Sequence, residues 1–445
     1  MVTRNIINSI VLIVSDLLFV TSALFISHGE RLWLDGFRLF DNYDSDPVRY
    51  MFSGLLYIFL PVLFFYRGLY QKRNDFWEES RIIMQSVLIL FVLIAAYVFL
   101  TKTSLYYSRT MVILLFINLL WVLPVGRVLA KKFLTLAGSW QVSAYIDGNE
   151  VQAEKLSGDL AANWFLGYRS VANFADADIV FIATKGMAVE QLEGKIAFYR
   201  HQIPEVVVIP YLSNLSFANA EIIDLRIGRV SMINIQNQLY RSKNIALKNS
   251  MEFMIVMLLL PIFFLVYSVI ALWIKFDSLG PVLYRQKRLG KNGEQFECYK
   301  FRTMAVGSDA VLDAYLQAHP EEVAYYEQFH KYRNDPRITK AGYWLRRFSF
   351  DELPQMLNIL KGEMSLIGPR PYMLEERSIL GENAETILHV RPGLTGFWQI
   401  KGRNDLSFAE RVELDVWYIR NWSLWLDFII FIKTFEVLVT RRGAR

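Results

Sequence analysis

Residues 349 to 371 read SFDELPQMLNILKGEMSLIGPRP, with an adjacent acid pair, Asp351 and Glu352, ahead of an apolar run and a proline-bracketed cation, Arg370. One carboxylate can act as a nucleophile and a second can bind a hard cation, while a fixed guanidinium can grip phosphate. Together these groups suit the handling of a diphosphate. A plainer reading stands beside this one. Pro354 has no amide hydrogen and sits best in the first turn of a helix. That places Asp351 near an N-cap, with Leu353, Met356, Leu357 and Leu360 on a buried side. The helix dipole keeps both acids ionised there. An ionised Asp at that position is a cap, a nucleophile or both, and the spacing alone does not choose.

Upstream, PVLYRQKRLG and EQFECYKFRTM flank Lys291-Asn292-Gly293, and Asn-Gly is a strong hairpin signal. Lys300 and Arg302 stand two apart in the second strand, so they project from one face. Paired cations suit phosphate recognition. A solvated basic strand explains them equally well.

The elements that must carry these residues are apolar. Residues 253 to 274, FMIVMLLLPIFFLVYSVIALWI, are long enough to cross a bilayer. Basic residues flank both ends: Arg241, Lys243 and Lys248 before, Lys275, Arg285, Lys287 and Arg288 after. A spanning helix would send one cluster outward, against the charge bias. Pro261 removes a backbone hydrogen bond inside the run. A bent helix that enters and leaves one leaflet satisfies both facts; a fifth, Pro-kinked span is the alternative. Four more apolar stretches lie at 6–27, 51–66, 82–100 and 110–126. The first lacks a basic n-region beyond Arg4 and is long for a cleaved signal, so it reads as an uncleaved anchor. Arg67, Lys72, Arg73 and Arg81 follow the second stretch, Arg127, Lys131 and Lys132 follow the fourth, and four aspartates follow the first. The positive-inside rule then puts both ends of this four-span unit in the cytoplasm.

Between these parts, QVSAYID, ADIVFIAT and EVVVIPYL read as short buried strands and VEQLEGKIAFYRH as a helix, which implies a small parallel α/β unit. No GxGxxG follows its first strand, only Asp147-Gly148-Asn149, which weighs against a dinucleotide cofactor. A structural, regulatory or dimer-forming role suits the unit better. At the C-terminus, Trp417, Trp422 and Trp425 interleave with an apolar helix over roughly 423–439. It reads as a helix lying on the cytoplasmic face, with a simply buried helix as the alternative.

Composition agrees with membrane contact. The 445 residues are 53% hydrophobic with 32 Phe and 11 Trp. The net charge of +5 is modest, and its basic residues cluster beside apolar segments, which fits anionic lipid and phosphate rather than nucleic acid. The single cysteine, Cys298, excludes an intrachain disulfide and suits the cytoplasm. The five histidines show no metal-ligand spacing.

Four blocks carry a resemblance: KFRTM (300–304), NDPRIT (334–339), LRRFSFDELPQMLNILKGEMSLIGPRP (345–371) and RPGLTGFWQIKGR (391–403). In order and spacing they resemble the bacterial sugar transferase family, the monotopic polyprenyl-phosphate phosphoglycosyl transferases, over about 246–445. The long N-terminal part is similar to the large members of that family, and the ending WYIRNWSLWLDFIIFIKTFEVLV to those members that transfer galactose phosphate and start O-antigen synthesis.

The resemblance implies a membrane protein of α plus α/β class. It would comprise a four-helix transmembrane bundle (1–134), a cytoplasmic Rossmann-like α/β domain (135–245) and a monotopic catalytic domain (246–445) with a re-entrant helix at 251–275. The implied reaction moves sugar 1-phosphate, galactose before glucose, from a UDP-sugar to undecaprenyl phosphate with release of UMP. It would be the first membrane step of O-antigen, capsule or exopolysaccharide synthesis, on the cytoplasmic face of the bacterial inner membrane, by a homodimer. Asp351 would form an aspartyl phosphosugar, and Glu352, with Asp351, would hold Mg2+. Arg370, Arg346, Lys300 and Arg302 would bind substrate phosphate. Pro261, Pro369, Pro371 and Asp415 would shape the site. Two rival readings are a glycosyltransferase that releases UDP and an inactive scaffold of polysaccharide assembly.

Overall fold

A computed structural model describes residues 2–37, 54–101, 108–210, 220–225, 230–323, 332, 335–402 and 406–440. The chain divides into two compact units, Met1–Tyr211 and Leu212–Arg445.

The first unit opens with helices α1 (Val2–Asp35), α2 (Leu55–Tyr66), α3 (Phe76–Leu100) and α4 (Arg109–Leu136). Asp75 caps α3 by accepting from the amides of Trp77 and Glu78, and Ser108 caps α4. α1, α3 and α4 are long and apolar enough to cross a membrane. α2 is a shorter apolar helix of 12 residues, about 18 Å long. The start of the stretch expected at 51–66 lies outside the described residues. Leu12, Val20, Leu60, Phe64, Ile83 and Leu119 form the bundle core. Ile58, Phe59, Val92, Leu93 and Phe133 face outward and are exposed, a surface that suits hydrocarbon and not water.

Close approach of α1 and α4 depends on Gly126, where a Cβ would lie 2.4 Å from the Phe19 ring. Buried charges tie the helices together. Arg127 meets Asp16 at 2.7 Å and Lys131 meets Glu79 at 2.5 Å, all nearly inaccessible. Tyr70 also donates to Asp16. Each charge is paired, as burial demands.

The sheet that follows is parallel, of order β2-β1-β3-β4. Its strands are β1 (Val142–Asp147), β2 (Tyr168–Val171), β3 (Ile179–Ala183) and β4 (Val206–Ile209), with helices α5 (Glu150–Ala162) and α6 (Val189–Arg200) between them. β3 is buried throughout, which explains its unbroken apolar run. The expected strands β1, β3 and β4 and helix α6 are present. α5 and β2 are not among the elements expected from the sequence. Asp147, at the end of β1, accepts from Lys195 at 2.6 Å and from the Tyr199 hydroxyl at 2.9 Å.

The second unit begins with an antiparallel pair, β5 (Glu221–Leu225) and β6 (Val230–Asn234). Next comes α7 (Ser242–Asp277), 36 residues or about 54 Å, continuous through Pro261. Its buried residues, Lys248, Glu252, Val256, Phe263, Ile270 and Ile274, recur at four- and seven-residue steps and form one stripe. The opposite face, including Met254, Leu258, Ile262, Leu265, Val269 and Leu272, is exposed and apolar.

The same domain clasps this helix at both ends. Near its start, Lys248 pairs with Glu252 and Asp427, and Glu252 accepts from Ser365 Oγ and the amides of Leu366 and Ile367. At its end, Asp277 accepts from the Ala341 amide.

The remaining elements are β7 (Leu283–Leu289), β8 (Gln295–Phe301), α8 (Asp309–Ala318), α9 (Lys340–Phe348), α10 (Met356–Leu360), β9 (Ser365–Ile367), α11 (Arg377–Leu380), α12 (Asn383–Leu388), β10 (Gly393–Thr395), α13 (Phe397–Lys401), α14 (Phe408–Arg420) and α15 (Leu424–Thr440). β7 and β8 form the expected antiparallel hairpin, turning through Asn292 at φ 58° and Gly293 at φ 78°. β9 and β10 pair in parallel. α15 buries Asp427 and Ile430 and exposes Phe428, Ile432 and Phe435. Trp422, expected at headgroup level, is instead a buried anchor that donates to Asp427.

Candidate active site

α9 ends with Ser349 in the left-handed region, φ 57° and ψ 24°, a strained setting for a side chain with a Cβ. The chain then winds into a tight 3-10 turn, Phe350–Gln355, that carries Asp351 and Glu352. This corrects the expected N-cap. α10 starts five residues after Asp351, its N-cap position is Gln355, and it receives no side-chain capping bond. Pro354 sits in the 3-10 turn, and Met356 and Ile359 are the buried α10 apolar residues. Asp351 is thus not employed as a cap.

The β7–β8 hairpin runs beside this turn. Its register pairs Tyr284 with Lys300, Gln286 with Cys298 and Arg288 with Phe296, so these residues share one face. Lys300 Nζ donates to Glu352 Oε1 at 2.7 Å. Burial alone would lower the Lys300 ammonium, but Glu352 and Asp351 outweigh it and hold it above its ordinary value. Burial also pushes the Cys298 thiol up to about 11, which leaves it inert at neutral pH.

α9 supplies Arg346. Its close seating requires Gly342, where a Cβ would lie 2.0 Å from the Thr303 carbonyl oxygen. Arg346 Nε then donates to Thr303 Oγ1 at 2.9 Å. Burial and the Glu352 carboxylate raise the Asp351 carboxyl to about 6, against the pull of Lys300 and Arg346.

The GPRP turn completes the cluster. Gly368 donates to Thr395 and Gly393 to Pro369, which fastens the turn to the RPGLTG segment. The two glycines touch so closely that a Cβ on Gly393 would lie 2.1 Å from the Gly368 nitrogen. Asp415, fully buried, accepts from the Arg370 amide at 3.0 Å and the Tyr372 hydroxyl at 2.9 Å. Burial lifts its carboxyl to about 7 despite those bonds. Its place is therefore structural: it holds the backbone that presents Arg370. The Arg370 guanidinium reaches Glu376 at 3.4 Å.

Arg288 was not anticipated as a site residue. It donates to the Pro371 carbonyl at 3.0 Å and to Gln286, and it feels the charges of Arg370 and Glu352. Its alternation with Gln286 on a hairpin that also bears Lys300 was the available signal. Arg302 takes a different place from the one expected. β8 ends at Phe301, and the Arg302 guanidinium turns to the carbonyls of Ser278 and Leu279, where it secures the exit of α7.

The result is two acids on a tight turn, faced by Lys300 and Arg346, with Arg288 and Arg370 adjoining. No cluster of three or more His, Cys, Asp or Glu suited to a metal occurs among the described residues. Two adjacent carboxylates nevertheless fit Mg2+, which takes one or two carboxylates and draws its other ligands from water and substrate phosphates.

Residues 243–441 match the family profile described as "Bacterial sugar transferase". The chain is 34% identical over 403 residues to an uncharacterized sugar transferase of Haemophilus influenzae, covering 84% of this chain and 85% of that protein. It is 31% identical to the undecaprenyl-phosphate galactose phosphotransferase of Salmonella typhimurium, covering 98% of this chain and 97% of that one. The chain belongs to the bacterial sugar transferase family. The sugar transferase is an enzyme of phosphoglycosyl transferase type and a membrane protein. Its C-terminal part is also 44% identical to the exopolysaccharide production protein ExoY of Rhizobium meliloti, over 41% of this chain and 80% of that protein.

Proposed function

We propose that this sugar transferase moves galactose 1-phosphate from UDP-galactose to undecaprenyl phosphate, with Asp351 as nucleophile. The observation that carries the reading is the setting of Asp351: a carboxylate free of capping duty, on a turn behind a strained Ser349, faced by Lys300 and Arg346. An Asp351 oxygen attacks the sugar-bearing phosphorus, and the bond from that phosphorus to UMP breaks, UMP keeping the electron pair. An oxygen of the lipid phosphate then attacks the same phosphorus, and the aspartyl bond breaks to restore the carboxylate. Using one carboxylate in turn lets two bulky anions share a site.

Lys300, Arg346, Arg288 and Arg370 form a cationic wall against which a diphosphate is held in line. Glu352, with Asp351, would hold Mg2+, which supplies neutralisation of the diphosphate charge when bound. Lys300 keeps Glu352 in place for that task.

A re-entrant course for α7 is part of this reading. One domain grips the helix near residue 248 and again at residue 277, while its outer face stays apolar. These two grips lie about 43 Å apart along the helix, and both are made by one domain, which supports a helix lying along one leaflet. Immersion in the cytoplasmic leaflet leaves both ends on one side and sets Asp351 near the acceptor phosphate. The sheet order β2-β1-β3-β4 supports a Rossmann-like N-terminal domain. Asp147 at the end of β1 is engaged by Lys195 and Tyr199, which favours a structural role over nucleotide binding. Galactose rests on the whole-length similarity to the Salmonella protein. A panel of UDP-sugars with undecaprenyl phosphate tests the proposal: UMP should appear fastest with UDP-galactose, and release of UDP would contradict it.

A further inference from the structure

Beside the N-terminal half of α7, an apolar groove runs up to the basic side chains of Arg391 and Lys291. Its outer part, about 340 Å3, is lined by Asn249, Phe253, Leu360, Gly362 and Arg391. Arg391 and Asn249 also line an inner cavity of about 50 Å3, together with Lys291, His389 and Pro369. Arg391 stands where the two spaces meet. Among the described residues, no carboxylate lies within ion-pair distance of Arg391 or Lys291. Glu252 borders the groove, but its oxygens are taken by Lys248, Ser365 and two backbone amides. The space therefore carries net positive charge and calls for an anion.

The groove's apolar wall says what kind of anion. Phe253 belongs to the exposed apolar surface of α7, which continues through Met257, Leu258, Ile262 and Leu265. A ligand with its charged end at Arg391 has an unbroken apolar track for its chains. Phosphate at the head and hydrocarbon behind it describe a phospholipid. Neither space is lined by Asp351, Glu352, Lys300 or Arg346. We infer that this groove holds an anionic bilayer phospholipid, its phosphate on Arg391 and Lys291, as a resident ligand distinct from the lipid that reacts. The inference rests on the reading of α7 as lying within one leaflet.

Occupancy would matter to the enzyme. Arg391 leads into Pro392 and Gly393, whose backbone binds Ser365 and Pro369 at 2.8 Å each. A lipid fixed at Arg391 thus steadies the segment that braces the Arg370 turn.

The test uses the full-length protein in phosphatidylcholine nanodiscs, titrated with phosphatidylglycerol and read by native mass spectrometry. One phosphatidylglycerol should be retained per chain. The Arg391→Gln/Lys291→Gln variant should bind it about a hundredfold more weakly, roughly the loss of two charge-assisted contacts. Arg391→Lys should retain most of the affinity. If the double variant fails to fold, Lys291→Gln alone, at the hairpin tip, should shift binding in the same direction.

Equal retention of phosphatidylcholine would overturn the proposal, as would variants that bind phosphatidylglycerol unchanged. Binding of soluble glycerol phosphate as tightly as the lipid would mark a free-anion site. One-for-one displacement by undecaprenyl phosphate would mark the acceptor site. Because lipid retention is read without turnover, failure here leaves the transferase reading standing.

Discussion

Lys300 Nζ lies 2.7 Å from Glu352 Oε1, and the charges of both act on the carboxyl group of Asp351. The nucleophile's charge state is thus set by two neighbours of opposite sign. Lys300 draws the Asp351 carboxyl down and Glu352 drives it up, leaving it near 6.

The first prediction follows from that balance. Only ionised Asp351 attacks, so kcat/KM should fall on the acid side as Asp351 protonates, at a pH below about 6 because bound Mg2+ favours the carboxylate. Lys300→Gln removes the charge that lowers the carboxyl and should move this limb to higher pH. Glu352→Gln removes the charge that raises it and should move the limb lower, with weaker Mg2+ dependence. Initial rates from pH 5 to 8 at saturating Mg2+ check the shifts. Shifts of the opposite sign would contradict the assignment.

Asp415 should act on stability and on Arg370 together. Asp415→Ala leaves the Arg370 amide and the buried Tyr372 hydroxyl unpaired, at a cost of about 2–4 kcal/mol. Asp415→Asn keeps an acceptor oxygen and should cost less. The sign with pH also follows. The native carboxyl titrates near 7, above its unfolded value, so the wild type should lose stability as pH climbs from about 4 towards 7. Thermal melting across that range should show a flatter pH profile for both variants, which lack the titrating carboxyl, than for the wild type.

Arg302 and Arg370 should separate cleanly. Arg302→Gln frees the Ser278 and Leu279 carbonyls and should cost about 1–3 kcal/mol in stability, with turnover per folded molecule largely kept. Arg370→Gln should keep the fold and lose about a hundredfold or more in kcat/KM, the scale for removing a charge-stabilising donor. Melting temperature and kinetics on the same preparations decide it.

The course of α7 is open to labelling. In a Cys298→Ser background, cysteines near Lys248 and Lys287 should both resist a membrane-impermeant thiol reagent in intact cells. Labelling at the 287 site alone would show a true crossing.

Much of this site could be read along the chain, and the exceptions have physical reasons. The Asn-Gly turn, the Lys300 strand and the acid pair are local signals that survive folding unchanged. Arg302 misled because strand alternation predicts its direction only while the strand lasts, and β8 stops one residue earlier. Asp351 was open to reading as a cap because Pro354 suits an α-helical first turn as well as a 3-10 one. Its distinction from a cap needs the left-handed Ser349 and the placing of α10. Asp415 and Arg370 lie 45 positions apart, and Lys248 and Asp427 lie 179 apart. No periodicity links such pairs, and only packing brings them together. The groove at Arg391 likewise exists only where α7, α10 and the segment before β10 converge.

The central claim is the covalent step at Asp351. Enzyme given radiolabelled UDP-galactose and Mg2+, with no lipid acceptor, should release UMP in a burst of at most about one equivalent per active site. The sugar label should stay with the protein and leave when undecaprenyl phosphate is added, and Asp351→Asn should show neither event. A preparation active with lipid that yields no burst and no labelled protein, or an Asn variant that keeps more than a few per cent of turnover, would contradict the account.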